Sequence, residues 1–219
     1  MSEPAGRPER PESTEKPLTA GLARHILARM GEAGQPPEQG IRHVNVGNEP
    51  FLDILRTEYL DRLLAQSRGS AFKLVQGYYG GGKTHFLYCV RDMGWEEGFP
   101  TAPVSPSPQE CPHEDPYLVY RAVSGSLAAP PTGEGTEPTR GLPDVLRDFA
   151  EETLMPLAEA ERDRWIRRTA LRIPVDSHSF RRAGAEFVRC VLEDDREGEA
   201  LLEAWLRGDS VPRGELRRF

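Results

Sequence analysis

Residues 77–84, GYYGGGKT, constrain the fold of this chain more than any other part of the sequence. They match the pattern G-x-x-x-x-G-K-[ST], with Gly77, Gly82, Lys83 and Thr84 at the fixed positions. Composition alone would give about 0.003 such matches in a chain of this make-up, so coincidence is a poor explanation. The pattern lies between a strand and a helix when it binds phosphate, and it therefore favours an α/β fold.

The flanking segments fit that expectation. Residues 71–76 (AFKLVQ) are short, apolar and partly alternating, which predicts a buried strand, and HFLYCVRDM predicts a helix that ends at Gly94. A second strand over residues 99–107 is weakened by Pro103 and Pro106. The predicted fold is therefore α/β, a P-loop NTPase core whose parallel sheet is incomplete, followed by a mostly helical segment. Two strands are found where about five are usual.

Composition shifts divide the chain into four parts. Residues 1–17 are rich in Pro, Glu and Ser and predict a disordered tail. Residues 18–127 form the predicted P-loop core, and residues 128–141 (AAPPTGEGTEPTRG) a Pro/Gly-rich linker. Residues 142–219 predict a helical segment. Helix starts are expected at Asn48, at Asp115-Pro116, at Pro156 and at Ser177 or Ser179.

Each residue type of the motif has a chemical task. Glycines bring backbone N–H groups close to phosphate oxygens, and the helix that follows presents its unpaired N–H groups to the same anion. Lys83 can neutralise phosphate charge, and the Thr84 hydroxyl can bind Mg²⁺. Tyr78 and Tyr79 either shield the phosphates, stack on a base or simply pack in the loop. The candidate nucleotide-binding residues are Gly77, Tyr78, Tyr79, Gly80, Gly81, Gly82, Lys83, Thr84 and His85.

Three segments, HVNVGNE, LVQGYYGGGKTHFLYCVRD and AWLRGDSVPRGEL, together resemble the ATP-binding P-loop proteins of bacteriophage exclusion (BREX) systems, a branch of the AAA-type or ORC-like ATPases. The likeness covers about residues 18–219. It implies ATP and Mg²⁺ as cofactors, a role in bacterial antiphage defence, and other defence-system proteins as partners. It also implies that Val46 and Gly47 lie beside the adenine. Relatives often have arginine where this chain has Asn48.

The acids of a Walker B strand are not found in the sequence. Such a strand is a run of apolar residues that ends in Asp-Glu, and residues 95–219 contain none; Ile173-Pro174-Val175-Asp176 predicts a turn instead. The catalytic residues are therefore unknown, hydrolysis stays open, and the chain resembles the N-terminal part of a longer ATPase. Two other hypotheses remain: a non-hydrolysing, nucleotide-stabilised interaction module, and a small-molecule kinase.

Charge and cysteine content narrow the class of protein. A net charge of −7 argues against broad nucleic acid binding, although a local basic face remains open. Arg164, Arg167, Arg168 and Arg172 have helical spacing, which fits nucleic acid, an acidic partner or a solvated, salt-bridged face. Three cysteines without a CxxC pair predict a reducing, cytoplasmic setting, and no run is apolar enough to span a membrane. The oligomeric state stays open.

Overall fold

A computed structural model describes residues 18–31, 35–61, 70–107, 111–130, 138–173, 175–212 and 214–219. The predicted tail, residues 131–137 of the predicted linker and Pro174 lie outside these ranges. The described chain divides into two compact units. The first comprises residues of Met1–Pro50 and Val75–Cys89, and the second residues of Phe51–Leu74 and Val90–Phe219.

Helices make up most of the described chain. The α-helices are α1 Ala20–Gly31, α2 Glu49–Leu55, α3 Lys83–Glu96, α4 Pro116–Ser126, α5 Leu142–Phe149, α6 Glu159–Arg168, α7 His178–Glu193 and α8 Arg196–Leu206. One π-helical turn, Arg56–Leu60, continues α2 and another, Ala150–Leu154, continues α5. The 3₁₀ turns are Ile41–Val44, Ala170–Arg172 and Glu215–Arg218.

Local capping chemistry explains several helix boundaries. The Asp115 carboxylate accepts hydrogen bonds from the N–H groups of Tyr117 (2.9 Å) and Leu118 (3.2 Å), with Pro116 as the first helical residue. Ser177 Oγ accepts from the N–H of Phe180 at the start of α7. Both predicted starts are confirmed. Pro156 lies in a turn, and α6 begins at Glu159 instead.

The second unit has an apolar core built on α7 and α8. Both helices turn an apolar stripe inward, and the core includes the fully buried Phe187, Leu154, Leu202 and Leu206. Burying side chains of this size contributes about 1.5–3 kcal/mol each, so this core is the main source of stability for the unit. Most of the described residues between 142 and 219 lie in helices.

A smaller core holds the first unit together. Ile26 on α1 and Ile41 in the first 3₁₀ turn are buried. Gly40 stands between them with a φ of +73°, and a Cβ added there would lie 3.0 Å from Ile26 Cδ1. The turn therefore depends on glycine, both for its left-handed backbone and for the close approach of α1.

The predicted parallel sheet is wrong. In the described ranges, β-pairing is limited to isolated antiparallel bridges at Thr101–Ala128, Ala128–Arg140 and Ser107–Cys111. Residues 71–76 have no regular secondary structure, no strand pairs with them in the described chain, and Phe72 and Leu74 are 84% and 80% exposed. An apolar alternating run forms a buried strand only where neighbouring strands satisfy its backbone, and those neighbours are missing here.

A second correction concerns α2. From Phe51 to Leu64 the apolar side chains recur at helical spacing, which predicts a buried helix face. In the structure no residue of α2 is buried: Leu52 and Leu55 are half-buried, and Phe51 is 60% exposed. Leu63 and Leu64 lie outside the described residues. In the part of the chain that is described, no helix is long and apolar enough to cross a bilayer.

Candidate functional site

Residues 77–82 form an exposed glycine-rich loop. The N–H of Gly81 donates to the carbonyl of Tyr78 at 3.1 Å, which closes a turn. Gly80 and Gly82 both have a φ of +76°, a left-handed conformation that favours glycine. A Cβ added at either position meets nothing within 4 Å, so open space faces the loop. This open space can admit an anion close to the backbone.

Helix α3 begins where the loop ends. The N–H of Phe86 donates to the carbonyl of Gly82 at 2.9 Å, the first hydrogen bond of a 14-residue helix. The N–H groups of Lys83, Thr84 and His85 belong to the first turn, where a helix offers no acceptor, and no other acceptor for them is found among the described residues. The first turn also carries no acidic residue. The helix end is thus an unshielded positive pole beside the loop.

The Lys83 side chain folds back over the loop. Its ammonium Nζ donates to the carbonyl oxygens of Gly77 at 3.1 Å and Tyr78 at 2.7 Å. Its stem lies against Gly77, where an added Cβ would be 3.4 Å from Lys83 Cγ. The positive charge of Lys83 is therefore held against the backbone carbonyl groups of the turn.

A family model for the BREX system ATP-binding protein BrxC/D matches residues 21–219. The chain belongs to this family. Comparisons with curated proteins and with solved structures give no match. Membership identifies a component of a bacteriophage exclusion system that binds ATP, and it confirms the resemblance drawn from the sequence.

Two tyrosines of this BREX family member stand in the loop. Tyr78 and Tyr79 are 93% and 105% exposed. Packing within the loop, one of the alternatives from the sequence, is therefore not what the structure shows. Both rings are therefore accessible to a nucleotide base, a phosphate-containing ligand or another protein.

The segment carrying Val46 and Gly47 belongs to the same compact unit as the loop. Val46 is 87% exposed, and Gly47 has a φ of +81° with nothing near its Cβ position. In the described chain, no hydrogen bond joins either residue to residues 77–85. Both residues are thus exposed, and no hydrogen bond links them to the loop in the described chain.

Asn45 connects this segment to α3, a role that the sequence did not reveal. Its Oδ1 accepts from the Asn48 amide at 2.7 Å and from the buried Cys89 thiol at 3.4 Å, while its Nδ2 donates to Glu49 at 3.3 Å. Asn48 was predicted to cap a helix, but its side-chain amide donates to Asn45 in this junction. A side-chain amide carries two N–H donors and a carbonyl acceptor, so this one residue can serve all three partners.

Metal ligands are sparse in this BREX family member. Thr84 is exposed at the start of α3. Among the described residues, no cluster of His, Cys, Asp or Glu could hold a metal ion. Mg²⁺ keeps several waters and is usually bound through one or two carboxylates plus substrate phosphates, and in P-loop NTPases the Ser/Thr hydroxyl of the loop is one of its protein ligands. A single hydroxyl fits that pattern when phosphate oxygens supply the remaining ligands.

Proposed function

We propose that residues 77–85 are the ATP-binding site of this BREX component. The observation that carries the proposal is the Lys83 ammonium, held 2.7 Å from the Tyr78 carbonyl beside a helix terminus with unused N–H groups. Family membership supports ATP as the ligand. The proposed contacts are Gly77, Tyr78, Tyr79, Gly80, Gly81, Gly82, Lys83, Thr84 and His85.

Each group contributes a specific part of phosphate recognition. The loop and the first turn of α3 offer backbone N–H donors to phosphate oxygens, with the positive helix end aligned to the same anion. Lys83 supplies a full positive charge, and its hydrogen bonds to phosphate would be charge-assisted. The glycines keep the approach clear, because neither Gly80 nor Gly82 has a neighbour at its Cβ position.

Mg²⁺ would enter this site together with the nucleotide. Thr84 is the residue that would hold it, and the ion would neutralise charge shared between the phosphates when bound. Because the protein provides one ligand, the ion and the phosphates should bind cooperatively. Val46, Gly47 and the rings of Tyr78 and Tyr79 are the exposed groups that we assign to the base side.

We infer that nucleotide state controls the assembly or conformation of a cytoplasmic antiphage complex with other BREX proteins. The alternative function is that of an interaction module that does not hydrolyse ATP and is stabilised by binding it. Its support is the lack, in the described ranges, of an acidic cluster that could complete a metal site. Calorimetry cannot separate the two, whereas phosphate release from monodisperse protein can.

The site is tested by two matched glycine substitutions. Gly82→Val places a branched side chain where phosphate would approach, and Gly98→Val imposes the same left-handed strain, at a φ of +80°, after α3. We expect MgATP binding to be lost in the first variant and kept in the second, with unchanged far-UV circular dichroism in both. Normal binding by Gly82→Val would refute the phosphate loop.

A further inference from the structure

Four arginines surround one cavity in the second unit. The cavity has a volume of about 430 Å³ and is lined by Ala160, Arg164, Arg167, Arg168 and Arg172. These residues come from α6 and from the 3₁₀ turn Ala170–Arg172 that follows it. We call the four arginines the arginine face. Among the residues that the structure describes, no carboxylate lines the cavity, although the chain as a whole has a net charge of −7.

The charges of the arginine face are largely unneutralised. Arg167 pairs with Asp163 at 3.1 Å, but these side chains are 67% and 50% exposed, and exposed pairs contribute little. For Arg164, Arg168 and Arg172, no ion pair is present in the part of the chain that the structure describes. The solvated, salt-bridged alternative thus accounts for one of the four arginines.

Neighbouring elements add positive charge and rigidity. From α7, the Arg181 guanidinium donates to the carbonyl of Ile173 at 3.3 Å, next to Arg172 in sequence. Beneath the face, Ile166 and Ala170 are buried against Ala185. The backbone that carries the arginines is therefore fixed by packing, and the guanidinium groups remain at the surface.

The spacing of the face fits a row of phosphates. Arg164 and Arg168 form a row about 6 Å long on the axis of α6, and Arg172, in the 3₁₀ turn that follows, lines the same cavity. Guanidinium groups bind phosphate through paired N–H donors, and they do so without reading base sequence. A row of this length suits consecutive phosphates of one strand better than a single free anion.

We propose that the arginine face binds the phosphate backbone of nucleic acid, independently of base sequence. An acidic protein is the competing partner, since arginine is also enriched at protein interfaces, but the anchors of such interfaces usually include aromatic side chains as well. Among the described residues, Ala160 is the one side chain besides the arginines that lines the cavity, and no aromatic ring does. The proposal concerns a surface separate from residues 77–85 and does not rest on ATP binding.

The test compares two variants with the same change in charge. Arg168→Gln/Arg172→Gln removes half of the face, and Arg24→Gln/Arg217→Gln removes two exposed arginines elsewhere. Binding of a labelled duplex of random sequence is followed by fluorescence anisotropy across a salt series. Lys83→Ala should bind the duplex as wild type does, which separates this surface from the nucleotide loop.

We expect the face variant to bind the duplex at least about tenfold more weakly at low salt, with a log–log salt slope flatter by about 1.8 for two lost phosphate contacts. The control variant should keep the wild-type slope. Three results would overturn the proposal: no duplex binding by the wild type, equal losses in both variants, or displacement by polyglutamate as effective as by unlabelled duplex.

Discussion

The Cys89 thiol donates to Oδ1 of Asn45 across 3.4 Å, joining residues 44 positions apart in the chain. The same Oδ1 accepts from the Asn48 amide at 2.7 Å. One side chain thus fixes the segment that carries Val46 and Gly47 to the helix that follows the glycine loop. The order of the candidate site depends on this junction.

Asn45→Ala should lower the free energy of unfolding by about 1–3 kcal/mol, because it removes the acceptor of the Asn48 amide and the Cys89 thiol together with the donor to Glu49. Asn48→Ala is the matched comparison. It should cost only about 0.5–1.5 kcal/mol, since Asn45 keeps its contact with Cys89. Urea denaturation measures both values. An equal or smaller loss in Asn45→Ala would show that the junction is not centred on this residue.

Tyr120 should make stability depend on alkaline pH. Burial raises the pKa of Tyr120 above its ordinary value of 10.0, against a smaller lowering effect of Ser124, and its hydroxyl donates to Leu206 O at 2.5 Å. The folded state therefore holds the proton more tightly than the unfolded state. The stabilisation is complete below pH 10 and is lost as pH rises through the folded pKa.

Denaturation midpoints between neutral and strongly alkaline pH test this expectation. Tyr120→Phe should be less stable than wild type at neutral pH and should lose less stability as pH rises. Tyr78→Phe, at a side chain that is 93% exposed, is the control and should follow the wild-type profile. Parallel profiles for wild type and Tyr120→Phe would contradict the account.

Two helical glycines should respond to alanine in opposite directions. At Gly184 in α7 an added Cβ meets nothing within 4 Å, so Gly184→Ala should stabilise by about 0.5–1 kcal/mol. At Gly198 in α8 the Cβ would lie 2.7 Å from the buried Cys190 Sγ and against the capping Asp195 carboxylate. Gly198→Ala should cost about 1–3 kcal/mol. Thermal unfolding measures the sign of the stability change in each variant. Stabilisation by both substitutions would contradict the packing described at Gly198.

The Thr84 hydroxyl should couple Mg²⁺ to nucleotide binding. Thr84→Val removes it at nearly constant volume, so ATP affinity in Mg²⁺ should fall about tenfold, the effect of about 1.4 kcal/mol. Affinity in the presence of a chelator should stay the same, and Thr84→Ser should restore the Mg²⁺ effect. If Thr84→Val and wild type gain equally from Mg²⁺, the threonine is not a ligand.

Helices were predictable where their signals are local. The Asp115-Pro116 start and the Ser177 cap depend on a few neighbouring residues, and the structure confirms both. The helix after the glycine motif was also found, though its end lies at Glu96 rather than Gly94. The binding roles of residues 77–85 remain predictions from the sequence. The open geometry of the loop is compatible with them.

Features that depend on distant partners were not predictable. Residues 71–76 have the composition of a buried strand, but pairing requires neighbouring strands that a local pattern cannot provide. The apolar spacing around Phe51 likewise indicated a buried face without showing what would cover it. The junction of Asn45 with Cys89 has no sequence signature, because its partners are joined only by the fold.

Calorimetric titration of MgATP into Lys83→Ala and Lys73→Ala tests the central claim most directly. Both variants remove one of only three lysines, and Lys73 contacts the Tyr59 ring, 4.0 Å from Nζ to the ring centroid, rather than the loop. A charge-assisted contact with phosphate is worth about 1.5–3 kcal/mol. We therefore predict at least about tenfold weaker binding for Lys83→Ala and wild-type affinity for Lys73→Ala. Equal affinity in the two variants would contradict nucleotide binding at residues 77–85.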